Sequence, residues 1–212
     1  MVGKGFRLTN LYRGDEEREF FVWIDPANWM VENNLGKVGA FTGGPLNAGD
    51  DAPQKLPYLP NANADGPMMT PFHLGLISWY GTEYDLEVER YENFRSYPSR
   101  LHALYLLHDR EEALLYARTH PKHVDGRILK RCVTVGQYSY SRHDSAWIEF
   151  LRVAHMIEDA DFWAVAREYW QGKMIDSAKL THHGRAWTHP SSPEALFYGT
   201  VNFPNKGLDQ SD

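Results

Sequence analysis

An α+β fold is what this 212-residue chain predicts. Three observations carry that expectation. Segments of strand character open and close the chain, from "FRLTNLYR" and "FFVWI" to "EALFYGTVNF". Helical segments lie between them without regular strand–helix alternation, so a doubly wound parallel sheet is not expected. One strand–helix pair, "LHALYLLHDREEALLYARTH", is punctuated at each of its boundaries.

Taken in order, residues 6–13 alternate apolar and polar side chains and predict a first strand, followed by a compact apolar strand at Phe20–Ile24. "DPANWMVENN" predicts a helix with Asp25 as N-cap and Pro26 at its first position. From Gly36 to Pro71 the chain is rich in Pro, Gly, Asn and Asp and shows no period, which predicts one long loop of the kind that serves as a lid or mobile segment. Leu74–Gly81 is apolar enough for a strand, and "YDLEVERYENF" reads as strand or short helix. Leu101–Leu107 reads as a strand that places Ala103, Tyr105 and Leu107 on one side and Leu104 and Leu106 on the other. Asp109 then caps a helix whose first turn is acidic and whose last turn is basic, as the helix dipole favours, and Pro121 ends it. Gly126–Gly136 is a clear strand. Ser145–Lys173 holds one or two helices ending at Gly172. Glu194–Phe203 alternates as the last strand, and residues 204–212 form a tail expected to fray. No internal repeat and no boundary divides the chain, so a single domain over 1–212 is expected.

Composition narrows the function classes. Hydrophobic residues at 42% and charged residues at 24% suit a globular core. No apolar run is long enough to cross a bilayer, so no membrane partner is expected, and "MVGKGFRLTN" has no secretory h-region. The single cysteine, Cys132, allows no intrachain disulfide and fits a cytoplasmic location. A net charge of −6 gives no general attraction to nucleic acid, although Arg118–Arg131 is locally basic. Aromatic residues at 14% suggest a ligand cleft with stacking walls in addition to the core. No phosphate-binding glycine loop is present. His120, His123, His182 and His183 lack zinc-site spacing, so no metal is expected. Ser99, Ser191 and Ser192 have no nucleophile-elbow context. Glu149 reads as a solvated or salt-bridged carboxylate.

Three stretches belong together. "NLYRGD" ends the first strand with Arg13 and Gly14. "HALYLLHDREEALLYA" carries Tyr105 on a strand and Tyr116 on the helix after it. "PEALFYGTVNF" opens a late strand with Glu194. In this order they resemble the ADP-ribosyltransferase superfamily. Arg13 matches the first motif position of its R-S-E branch, Tyr105 the second position of its H-Y-E branch, and Glu194 the glutamate shared by both. "YPSRLHALYL" and "EYWQGK" are similar to segments of uncharacterised bacterial ADP-ribosyltransferase-like proteins. The sequence departs from the pattern in three ways. Arginine with tyrosine is a hybrid of the two branches. No Ser-Thr-Ser run is present, Ser99 being the nearby candidate for that role, and residue 192 is Ser where an upstream acid or amide would help choose an arginine acceptor.

The resemblance implies two packed, mostly antiparallel sheets with flanking helices around an NAD cleft. It implies NAD+ as substrate and transfer of ADP-ribose to a macromolecular acceptor, protein or nucleic acid. It also implies a toxin or conflict-system effector with an antitoxin or inhibitor protein as partner. Glu194 is then the catalytic carboxylate, stabilising an oxocarbenium-like transition state, holding the ribose 2′-hydroxyl and helping to deprotonate the nucleophile. Tyr105, with Tyr116 as a second wall, stacks on nicotinamide, and Arg13 pairs with the diphosphate or adenosine ribose where Gly14 permits close approach. The 36–71 loop covers the dinucleotide or presents the acceptor. An NAD+ glycohydrolase and a non-catalytic protein-binding domain are the rival readings. The transferase reading requires Arg13, Tyr105 and Glu194 in one cleft.

Overall fold

The computed structural model describes residues 9–44, 77–154, 162–182 and 184–204. Its strands are β1 (Leu11–Gly14), β2 (Glu19–Ile24), β3 (Ala40–Gly43), β4 (Leu104–Leu106), β5 (Ile128–Asp144), β6 (Thr181–His182), β7 (Arg185–Ala186) and β8 (Pro193–Asn202). Its α-helices are α1 (Trp29–Asn33), α2 (Thr82–Asn93), α3 (Arg110–Thr119), α4 (Pro121–Val124), α5 (Ala146–Ala154) and α6 (Phe162–Trp170). The fold is α+β, with a mostly antiparallel sheet, as the sequence predicts. No helix among the described residues is long and apolar enough to cross a membrane.

The long strands β5 and β8 pair antiparallel and form the frame. Each carries two short partners end to end: β1 and β2 lie along β5, and β3 and β4 along β8, completing a six-stranded sheet. β6 and β7 form a separate ribbon. The β5–β8 register shifts between Val135 and Ser139, where Gly136 has φ 70°. Such a bulge bends the strand and increases its twist. The sheet therefore curls until Phe21 of β2 meets Leu107, just past β4, through N–H···O bonds of 2.8 and 2.7 Å.

Alternation along β8 feeds two cores. Leu196 faces a layer of α2, α5 and α6 with Leu86, Trp147, Tyr169 and Trp170. Ala195 and Phe197 face the inside of the curl with Phe20, Leu106, Cys132 and Tyr140. Asp144 ties the ends together: its buried carboxylate accepts the N–H groups of Ala146 (3.0 Å), Ser192 (2.7 Å) and Ile175 (2.9 Å).

Several expected boundaries move. α1 begins at Trp29 with Asn28 as its cap, because Asp25 instead closes a local turn onto the Ala27 N–H at 2.9 Å. The described part of the expected 36–71 loop holds the end of a π-helical turn (Asn34–Val38) and strand β3, which finds its partner in β8; residues 45–71 lie outside the described residues. The expected strand at Leu74–Gly81 is, in its described part, a π-helical turn at Ile77–Gly81 that runs into α2. Pro121 ends α3 but starts α4, as proline's fixed φ suits a first helical position. β5 continues through Gly136 to Asp144, the bulge absorbing the glycine. Asp109 caps α3 as expected, accepting the Glu112 N–H at 2.8 Å. The expected tail falls outside the described residues after 204.

Candidate functional site

The site grows from the start of β8. Pro193 and Glu194 stand opposite Asp144 and His143 of β5, and the Asp144 carboxylate pins Ser192 just ahead of them. Glu194 shares the face of Leu196, so its side chain enters the gap beside the helical layer. There its Oε1 accepts two charge-assisted bonds, from Arg100 Nη1 and from the Tyr169 hydroxyl at 2.8 Å. Its Oε2 has no protein partner among the described residues.

Arg100 comes from the turn before β4. Ser99 shapes that turn: its N–H donates to the Tyr198 hydroxyl at 2.8 Å and its Oγ accepts the Leu101 N–H at 3.1 Å. The guanidinium forks onto Glu83 of α2, with Nε to Oε2 at 2.7 Å and Nη2 to Oε1 at 3.1 Å, and its Nη1 also meets the Tyr169 hydroxyl at 2.7 Å. It lies 5.1 Å from the Tyr105 ring centre and 5.4 Å from that of Tyr169. The Tyr105 hydroxyl donates to the Arg100 carbonyl at 2.6 Å. Burial works most strongly against the Arg100 charge, but Glu194, Tyr169, Tyr105 and Glu83 together more than offset it and hold the guanidinium firmly protonated. Burial pushes the Glu194 carboxyl above its ordinary range, with Arg100 and Tyr169 pulling against that rise.

Above this floor opens a cleft of about 500 Å³. One wall carries Trp23, Tyr116, His120 and His123, and the other Trp79, Glu149 and Arg152. Arg152 lies 3.9 Å from the Trp79 ring centre and donates to Glu149 at 2.6 Å. Tyr116, His120 and His123 form a ring cluster, with His120 4.9 Å from Tyr116 and 5.2 Å from His123, and Tyr116 6.2 Å from His123.

The structure thus brings together Tyr105, Tyr116 and Glu194. Arg13 and Gly14 are not with them. β1 lies on the outer edge of β5, with Arg13 opposite Ser139, which itself faces Tyr198. Arg13 is therefore two strands across and four residues along from Glu194, on the order of 15 Å away, and it is exposed to solvent. Gly14 instead makes room for the Tyr138 hydroxyl, 2.8 Å from where a Cβ would stand. Ser99 is buried behind the floor and does not line the cleft. Arg100 and Tyr169 are the residues sequence reasoning did not assign, although each stood in a stretch singled out as similar, "YPSR" and "EYWQGK". Glu83 left no comparable signal.

Among the described residues one cluster has metal-ligand chemistry, namely His108, Asp109 and Glu112. Part of it is already engaged. His108 Nε2 meets Arg18 at 2.6 Å, Glu112 pairs with Arg142, and Asp109 caps α3. His108 Nδ1 has no hydrogen-bond partner among the described residues and lies 3.5 Å from Asp109 Oδ2.

A family model described as a protein of unknown function, DUF2441, matches residues 62–182, more than half of the chain. The chain belongs to this family. No curated protein matches it. The DUF2441 match takes in Glu83, Arg100, Tyr105, Tyr116, His120, Arg152 and Tyr169, which build most of the cleft, and stops short of Glu194.

Proposed function

We propose that the cleft breaks the nicotinamide–ribose bond of NAD+ and passes ADP-ribose to a macromolecular acceptor, the reaction of a mono-ADP-ribosyltransferase. The observation that carries the reading is the Glu194 carboxylate, fixed through Oε1 by Arg100 and Tyr169 with Oε2 unspent, at the floor of an aromatic-walled cleft. Arg13 lies outside the cleft, so the requirement set by the sequence motif is not met; the proposal drops Arg13 and stands on Tyr105, Glu194 and Arg100. The two packed sheets that the resemblance implies belong to this proposal; the described strands form one six-stranded sheet with a bulge near Gly136 and a separate two-stranded ribbon.

The chemistry follows from these groups. As the C1′–N bond lengthens, positive charge grows on the ribose, and a carboxylate fixed in a low-dielectric site stabilises it without reorganising. Arg100 orients that carboxylate, and its charge opposes the rise that burial imposes on the carboxyl. The Tyr105 ring, 44% exposed into the cleft with its hydroxyl tied down, offers a flat face for nicotinamide. Arg127 and Arg152 line the cleft and suit the diphosphate.

Incubation with nicotinamide-labelled and adenine-labelled NAD+, with and without cell lysate, tests the reading. We expect nicotinamide release with adenine label entering macromolecules, and a fall of at least ~10²-fold in Glu194→Gln. Nicotinamide release with no transfer would assign a glycohydrolase. No cleavage by the wild-type protein would overturn the proposal.

A further inference from the structure

We propose that His120 is the general base of this cleft, taking the proton of the incoming acceptor on Nε2. The inference rests on the NAD+ reading and adds a second group to it.

Chain geometry places the ring. α3 ends at Thr119, and the His120 N–H closes the last turn onto the Tyr116 carbonyl at 2.8 Å. The imidazole then packs on Tyr116 and His123, at interplanar angles of 21° and 24°, in a triangle of rings closed by Tyr116 and His123 6.2 Å apart. Two ring contacts limit its orientation, as a catalytic base requires.

A hydrogen bond at Nδ1 leaves Nε2 for the acceptor. His120 Nδ1 lies 2.8 Å from Thr119 Oγ1. The same Oγ1 reaches the carbonyls of Leu115 at 3.1 Å and Tyr116 at 3.2 Å. When the hydroxyl hydrogen goes to one of these carbonyls, Oγ1 accepts from Nδ1–H. In that tautomer Nε2 carries the lone pair, on a ring that lines the cleft. Burial first, and His123 second, hold the imidazole below its ordinary range, while Glu149 across the cleft pulls the other way and His189 adds to the lowering. Arg127, Arg152 and Glu194 face the same space. Neutral His120 is thus the form present at neutral pH.

Labour then divides between two groups. The C1′–N bond breaks and its electron pair leaves with neutral nicotinamide. Glu194 stabilises the ribosyl cation. The acceptor's oxygen or nitrogen lone pair forms the new bond to C1′, and its proton passes to His120 Nε2 and on to solvent. Glu194 need not take that proton: with Oε1 held by Arg100 and Tyr169, its Oε2 is left for the ribose 2′-hydroxyl.

The test is the pH dependence of kcat/KM for NAD+ cleavage by the full chain. With two groups required in their basic forms, the acid limb of log kcat/KM has a slope of two in the wild type and of one in His120→Gln, whose activity falls about 10²-fold or more. Added imidazole restores part of the activity of His120→Ala and does not stimulate the wild type, which separates a missing base from a damaged fold. An active wild type with an unchanged slope in His120→Gln, or no imidazole rescue, overturns the role of His120 and leaves the NAD+ reading intact. A wild type that does not cleave NAD+ overturns both.

Discussion

A buried carboxylate persists only where hydrogen bonds and an opposite charge replace its water. Glu194 has both from Arg100, and Arg100 has a second carboxylate in Glu83. Arg100→Ala leaves two acids facing each other, so we expect a loss on the order of 3–5 kcal/mol in urea unfolding. Arg100→Lys keeps a charge but not the fork that spans both acids, and should recover only part of that loss. Glu194→Gln differs, because Glu83 still satisfies the guanidinium; the variant should fold and lose activity alone. His143 shows the opposite solution for a titratable group. It is fully buried, its Nδ1–H donates to the Tyr169 carbonyl at 2.9 Å, and its Nε2 accepts from Ser141 Oγ at 2.7 Å. Burial drops its pKa to about 3 from the ordinary 6.5. Below the ordinary value the unfolded chain takes up a proton that the folded chain refuses, so stability is full above it and is lost as pH falls toward 3. Between ~pH 7.5 and ~pH 5 this residue should withdraw about 2 kcal/mol, and His143→Gln should lose that share of the slope.

Elements meet where backbone atoms leave no room for error, and Asp144 is such a junction. One carboxylate takes N–H groups from the start of α5, the loop before β8 and the turn after α6. Asn in its place keeps one acceptor and turns an NH₂ toward a backbone donor. We expect Asp144→Asn to cost about 2 kcal/mol or more, with a lower kcat because Ser192 and Glu194 share that anchor. Urea midpoints and NAD+ turnover on the same samples check both parts. This junction was illegible in the sequence, since it joins residues remote along the chain. What was legible is local: the Asp109 cap, the apolar run of β2, the alternation of β8 and the Tyr105 face all follow from neighbours in sequence. β3 was missed because its strand character comes from pairing with β8 and not from "AFTG" itself. The turn at Ile77–Gly81 was read as a strand because a short apolar run does not separate the two periods.

At the scale of the whole molecule, topology decides which arginine serves the cleft. Arg13 carried the stronger motif, but β1 lies on the far edge of β5; Arg100, four residues before β4 begins, arrives beside Glu194 because β4 pairs with β8. No local pattern encodes that choice. The same two long strands also join the cores, since β8 sends Leu196 into the helical layer while Ala195 and Phe197 pack inside the curl. Neither core can lose its packing without stripping side chains from a strand the other needs, so the domain should unfold as one unit. Cys132 gives a direct probe. It is the chain's single cysteine, fully buried inside the curl, and burial lifts its thiol to about 12. It should therefore stay inert to thiol reagents until the curl opens. Trp147 and Trp170, fully buried in the helical layer, report that layer through near-ultraviolet circular dichroism. We expect the two signals to change at the same urea concentration. A thiol that becomes reactive while the tryptophan signal is intact would show a curl that opens alone, and the cleft between curl and helices would then be built from two parts of unequal stability.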